Sequence, residues 1–75
     1  MTAINLTLSL CEGALVRVLG VTERRGFPLV SVEAQPRPSE SKLEVQLGVQ
    51  SDRPVHLLIN QLRKLHDVMT VEELK

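Results

Sequence analysis

Apolar residues in this sequence follow two spacings in turn, and the same succession occurs twice. In the first stretch every second residue is apolar, which predicts a strand with one buried face. Those residues are Ile4, Leu6, Leu8 and Leu10. Beyond Gly13 the apolar residues recur at helical spacing, and Gly26, with two arginines just before it, predicts the end of that helix. Residues 27–34 return to a strand-like composition, in which Pro28 belongs at a strand start or on an edge strand.

The second half begins with a loop and then repeats the succession. Residues 36–41 are rich in proline and serine and predict a long, mobile loop between two strands. Alternation resumes over 42–50, after which Ser51 or Asp52 is expected to cap a second helix with Pro54 in its first turn. The apolar stripe of that helix comprises Val55, Leu58, Ile59, Leu62 and Leu65.

The predicted order is β-α-β-β-α-β, with residues 67–74 as the last strand. Right-handed crossovers would place both helices on one face of a four-stranded antiparallel sheet, which is the α+β, ferredoxin-like layout. The opposite face is expected to be polar, lined by Asn5, Thr7, Ser9, Glu44 and Gln46. Residues 29–34 are expected to form an edge strand with unpaired backbone groups. Because a chain of this length buries only about 60% of its unfolded surface, we expect a homodimer joined through sheet edges.

Composition excludes several classes of partner. The chain has nine basic and nine acidic residues, which is not the basic surface that nucleic acid or an anionic membrane requires. One phenylalanine, with no tyrosine or tryptophan, argues against a sheet that stacks RNA bases. No apolar run is long enough to span a bilayer, and the first residues do not have the pattern of a signal peptide. With a single cysteine, Cys11, these features predict a cytoplasmic protein.

Candidates for catalysis are few. Cys11, His56 and His66 are the only candidates for a nucleophile and its base, and neither histidine is expected to reach the loop that holds Cys11. There is no Cys-x-x-Cys pair and no glycine-rich phosphate loop, so we predict no metal and no catalytic residue on this chain. The junction at residues 11–14 is a candidate binding site instead, because a helix N-terminus can hold a carboxylate and Gly13 lets a ligand approach the backbone. A glycine at such a junction also commonly serves the turn alone.

Two blocks of the sequence, GALVRVLGVTERRGF at 13–27 and QLRKLHDVMTVEEL at 61–74, resemble the ACT domain of the small, regulatory subunits of acetolactate synthase (acetohydroxyacid synthase). The matching residues are Gly13-Ala14-Leu15, Arg17-Val18, Arg25-Gly26-Phe27, Gln61-Leu62, Lys64-Leu65 and Asp67-Val68. The resemblance runs over about 4–74, so we expect a single ACT domain over 1–75 with its core at about 4–74. Longer members of that family add a second domain, and this chain is similar to the short, isozyme II type.

The resemblance implies a role without catalysis. In this family the large subunit binds thiamine diphosphate, Mg²⁺ and FAD and condenses pyruvate with a second 2-oxo acid. The small subunit contributes no catalytic residue, raises the activity of the large one and, in many members, carries feedback inhibition by valine. The implied function is therefore a regulatory subunit in branched-chain amino acid biosynthesis, with the catalytic large subunit as partner and no cofactor of its own.

The resemblance also implies an effector site, because ACT domains commonly pair side by side and hold amino acids near the first-loop glycine at the pair interface. The candidate effector-binding residues are Leu10, Cys11, Gly13, Ala14, Pro28 and Leu29. Valine-responsive members have asparagines at the positions of Leu10 and Pro28, whose side chains here cannot hydrogen-bond a bound amino acid. Each lost hydrogen bond to a charged ligand costs about 1.5–3 kcal/mol, so valine feedback is expected to be weak or absent.

Two other functions remain open at this point. The first is a free-standing ACT-type amino-acid sensor with no enzyme partner. The second is a small enzyme on this fold, such as an acyl phosphate hydrolase, which would need an anion cradle with a positioned arginine and asparagine. Asn5 and Asn60 are the only asparagines, and neither lies in a glycine-rich loop, which disfavours the enzyme.

Overall fold

The predicted succession of strands and helices is present in the computed structural model, which describes residues 1–74. The elements are β1 (Thr2–Ser9), α1 (Ala14–Arg24), β2 (Leu29–Arg37), β3 (Lys42–Val49), α2 (Val55–Arg63) and β4 (Val68–Leu74). The four strands form one antiparallel sheet in the order β2-β3-β1-β4. The ferredoxin-like βαββαβ prediction is therefore confirmed.

The alternation in β1 sets which face of the sheet carries the core. Ile4, Leu6 and Leu8 are buried, and each lies opposite an apolar residue of β3 in the antiparallel register. Both helices contribute apolar side chains to the same core, as their spacing predicts. The buried helical residues are Ala14, Val18, Thr22, Leu58, Ile59 and Leu62. No helix within residues 1–74 is long and apolar enough to cross a membrane.

The predicted long loop at 36–41 is wrong. β2 continues to Arg37 and β3 begins at Lys42, so only a short 3₁₀ turn, Pro38–Glu40, and Ser41 connect them. Pro36 lies inside β2, opposite Leu43. It is tolerated there because β2 is an edge strand, where a missing backbone N–H need not break the ladder.

The ends of α1 agree with the sequence prediction, whereas the start of α2 differs from it. Gly13 (φ 81°) precedes α1 and Gly26 (φ 86°) follows its last residues, and both have the left-handed backbone that glycine adopts without strain. The predicted cap of α2 by Ser51 or Asp52 is wrong, because α2 begins after Pro54. The Ser51 hydroxyl instead accepts from the Arg53 backbone N–H at 3.0 Å and donates to the Gly26 carbonyl at 3.2 Å.

The open face of the sheet and its β2 edge, neither of which carries a helix, differ in character. The open face is polar as predicted: Asn5 lies opposite Gln46 and Thr7 lies opposite Glu44. The edge strand β2 is exposed along nearly its whole length, including Val30 and Val32. The prediction that residues 29–34 lie at an edge is confirmed.

Candidate functional site

The loop between β1 and α1 is tied down by backbone hydrogen bonds. The Leu10 N–H donates to the Ser41 carbonyl at 2.9 Å, and the Ala14 N–H donates to the Cys11 carbonyl at 3.3 Å. Gly13 has a second reason to be glycine besides its positive φ, because a Cβ at this position would lie 2.9 Å from Arg17 Nη1. The space beside Gly13 is thus filled by the Arg17 guanidinium, which lies over the loop.

Asp67 is the centre of the polar contacts at this end of the molecule. Its carboxylate accepts from Arg17 Nε at 2.8 Å, from Arg17 Nη2, and from Cys11 Sγ at 3.2 Å. Its backbone carbonyl accepts from the Ser9 N–H at 2.8 Å. The Asp67 side chain is only 11% exposed, whereas that of Arg17 is 52% exposed. Asp67 therefore joins the end of β1, the first loop and α1 to the start of β4.

The charges at this cluster shift the pKa values in opposite directions. The hydrogen bonds from Arg17, and then that from Cys11, hold the pKa of Asp67 below its ordinary value. The hydrogen bond to Asp67 raises the pKa of Cys11, although this residue is exposed. A carboxylate that is stabilised by a guanidinium and a thiol that is kept protonated form a structural network rather than an activated nucleophile.

Neither histidine contacts the first loop directly within residues 1–74, and His66 approaches the cluster only through its chain neighbour Asp67. The His66 Nδ1 lies 3.5 Å from Asp67 Oδ1, the oxygen that also accepts from the Cys11 thiol. The turn from α2 to β4 folds against the loop from β1 to α1, and the sequence alone does not show this approach. His66 is fully exposed and Cys11 is held as a thiol, so the pair lacks the lowered cysteine pKa of a nucleophile. His56 lies in the first turn of α2.

The candidate effector residues fall into two groups at opposite ends of the sheet. Leu10, Cys11, Gly13 and Ala14 follow β1. Pro28 and Leu29 begin β2, and the register places Leu29 beside Val49, which in turn lies beside Thr2 at the start of β1. Along β1 the two groups are separated by about 23 Å, at about 3.3 Å for each residue from Thr2 to Ser9. One chain alone does not bring them together.

The sequence marks Arg17 and Asp67 only as residues that match the family, whereas the structure shows that they organise the first loop. A signal was present, because Arg17 belongs to the first of the two sequence blocks and Asp67 to the second. An arginine in one block and an aspartate in the other are candidates for an ion pair. Among residues 1–74, no three His, Cys, Asp or Glu side chains come together in a group that could hold a metal ion.

The βαββαβ sheet and the glycine-led helix after β1 define the class of protein. The family model for the ACT domain matches residues 11–71, and the chain belongs to the ACT-domain family. The resemblance in the sequence is confirmed by the small subunit of acetolactate synthase isozyme 2 from Escherichia coli. This relative is 35% identical over 68 residues, which cover 91% of this chain and 78% of the relative. The same protein from Shigella flexneri matches equally well.

Solved structures agree on the fold. The acetolactate synthase small subunit from Thermotoga maritima superposes with a TM-score of 0.86 at 19% identity, over 99% of this chain and 47% of that one. The ACT domain of GTP pyrophosphokinase from Chlorobium tepidum superposes with a TM-score of 0.82, also at 19% identity, over 97% of this chain and 95% of that one. At such identities these two likenesses show the shared fold alone.

Proposed function

We propose that this protein is the regulatory subunit of an acetolactate synthase, acting in the cytoplasm on a thiamine-diphosphate-dependent catalytic subunit. The observation that carries the proposal is the 35% identity to an acetolactate synthase small subunit over 91% of the chain. The regulatory subunit raises activity by binding the active conformation of its partner more tightly than the inactive one. This mechanism requires no catalytic group on the regulatory chain.

The polar cluster around Asp67 supports a role without catalysis. Its members hold one another: Arg17 and Cys11 both donate to the Asp67 carboxylate. The thiol pKa is raised, which opposes nucleophilic attack at neutral pH. The cluster fixes the first loop relative to β4. We propose that the chain acts by binding its partner through rigid surfaces of this kind.

We also propose that two copies pair through their β2 edges. The exposed edge strand has unpaired backbone groups and two exposed valines, Val30 and Val32. Antiparallel pairing of β2 with its copy would place the start of one β2 beside the end of the other. The end of β2 lies at the same end of the sheet as the loop after β1, because Arg37 is beside Lys42 and Lys42 is beside Ser9.

This pairing would complete the effector site that one chain leaves divided. Pro28 and Leu29 of one copy would come to the end of the sheet that carries Gly13 of the other. Even so, the Leu10 and Pro28 side chains would offer a bound amino acid no hydrogen bond. The Leu10 N–H is already used by the Ser41 carbonyl. We therefore propose that valine feedback is weak or absent.

Purification of this protein from its own cells, with a tag, tests the partnership. We expect a thiamine-diphosphate enzyme that makes acetolactate to elute with it. A free-standing amino-acid sensor would elute without such an enzyme and would bind an amino acid unaided. Elution of the protein as a homo-oligomer alone, under conditions that keep the catalytic enzyme intact in the extract, would contradict the proposal.

A further inference from the structure

A cleft between the end of α1 and the flank of α2 is positively charged. Its volume is about 360 Å³, and Arg25, Arg53 and Lys64 line it together with Asn60 and Gln61. No carboxylate lines the cleft, and none of the ion pairs within residues 1–74 involves these three cations. We call this the basic cleft.

Arg53 is held in place at the basic cleft rather than left free on a loop. Its backbone N–H donates to Ser51 Oγ at 3.0 Å, and that hydroxyl donates to the Gly26 carbonyl at 3.2 Å. Its guanidinium packs where a side chain at position 26 would be, since a Cβ on Gly26 would lie 3.0 Å from Arg53 Nε. The left-handed Gly26 that ends α1 therefore also makes room for this arginine.

The basic cleft has an apolar part as well. Phe27, which is only 2% exposed, forms part of its wall, and Leu57 on α2 is 45% exposed beside it. Lys64, the residue after α2, lies about 10 Å from Leu57 along the helix axis. Arg25 and Arg53 lie beside Gly26 at the α1 end of the cleft, and Lys64 lies just after the last residue of α2.

The opposite surface of the molecule has a different arrangement of charges. Glu33, Glu44 and Glu72 line the open face of the sheet, where Arg37 pairs with Glu44 at 2.7 Å. By the strand register Arg37 and Lys42 also lie on this face, but they pair with Glu44 and Glu40, whereas the cations of the basic cleft have no such ion pair within residues 1–74. Charge complementarity selects an acidic partner for the cleft and disfavours the same partner at the sheet.

We infer that the basic cleft docks an acidic segment of the catalytic subunit, with one apolar side chain against Leu57 and Phe27 and carboxylates against Arg53 and Lys64. This inference rests on the proposed function, because it identifies where the proposed partner binds. A chain segment fits better than a small anion because Arg53 precedes α2 and Lys64 follows it, and the nine residues of α2 between them are about 13 Å long. The attraction is exposed to solvent, so salt will weaken it.

Association of the catalytic subunit with two double variants tests the inference. Arg53→Gln with Lys64→Gln removes two charges from the cleft. Arg24→Gln with Arg63→Gln removes two charges from exposed positions of the same two helices that do not line the cleft. We expect the cleft variant to raise the dissociation constant about tenfold, with the difference shrinking at high salt, and the control variant to change it little. Thermal unfolding of both variants separates misfolding from lost binding.

The outcomes are distinct. If the wild-type chain does not bind the catalytic subunit, the proposed function fails and the inference fails with it. If the wild type binds, and the two variants bind as well as the wild type or weaken equally, the inference alone is overturned. If the cleft variant changes the self-association of the isolated chain instead, the cleft is an interface between copies and the inference is also overturned.

Discussion

Arg17 Nε donates to Asp67 Oδ2 at 2.8 Å, although 50 positions separate the two residues in the sequence. The contact fastens the first turn of α1 to the turn before β4 and covers Gly13 with a guanidinium. The thiol of Cys11 donates to the same carboxylate, so the position of the first loop depends on Asp67. An effector or partner that binds this loop would therefore contact a surface whose geometry depends on Asp67.

We predict that Asp67→Ala lowers the melting temperature by several degrees, because it removes a nearly buried acceptor from Arg17 and Cys11 together. Arg37→Gln is the matched control, since it breaks the Arg37–Glu44 pair, in which both side chains are about half exposed. The control is expected to change stability by less than about 1 kcal/mol. Equal melting temperatures for the wild type and Asp67→Ala would show that the cluster has no structural role.

The same residue predicts how stability depends on pH. Arg17 and Cys11 lower the pKa of Asp67 from its ordinary 3.8, so the folded state binds this proton less readily than the unfolded state does. The stabilisation is then fully present above about pH 4 and is lost as the pH falls through the lower, folded pKa. Urea unfolding at pH values from 2 to 6 measures this loss. In Asp67→Asn the decline should be shallower, and an unchanged slope would rule out Asp67 as its source.

For the proposed dimer, we predict that Val32→Arg on the β2 edge shifts the protein to monomer in analytical ultracentrifugation at micromolar concentration. A charged side chain on the exposed edge would be buried against its copy. Met69→Arg on β4, the opposite edge, is the control, because Met69 is also exposed and should leave the dimer intact. A wild-type chain that sediments only as monomer would refute the pairing.

Calorimetric titration with valine tests the consequence of Leu10 and Pro28. We predict weak or undetectable binding to the wild type. Leu10→Asn with Pro28→Asn should strengthen it, since two restored hydrogen bonds at about 1.5–3 kcal/mol each correspond to about a hundredfold or more. A wild-type dissociation constant of roughly 10–100 µM, about −7 to −5.5 kcal/mol, would show that the backbone holds valine without the amides.

The sequence predicted those features of the fold that short spacings determine. The alternation of Ile4, Leu6 and Leu8 and the helical stripe through Leu58 and Leu62 are local patterns, and their burial follows from the period of the strand or helix. The exposed β2 edge also followed, because the order of the elements leaves its strand at the margin of the sheet.

The sequence did not predict features that depend on contacts between residues far apart in the chain. The contact of Arg17 with Asp67 requires the turn after α2 to lie against the first loop, and no local period encodes that approach. The division of the candidate effector residues likewise depends on the register that puts Leu29 and Gly13 at opposite ends of the sheet. The start of α2 was misplaced because Ser51 uses its hydroxyl to hold Gly26 instead of capping the helix.

The most direct test of the central claim is the rate of acetolactate formation by the purified catalytic subunit as this protein is added. We predict that the rate rises several-fold and levels off when the two chains are equimolar, while this protein alone forms no acetolactate from pyruvate. The rise follows if the regulatory chain binds the active conformation of its partner more tightly. A rate that does not change with added protein, or acetolactate made by this chain alone, would contradict the account.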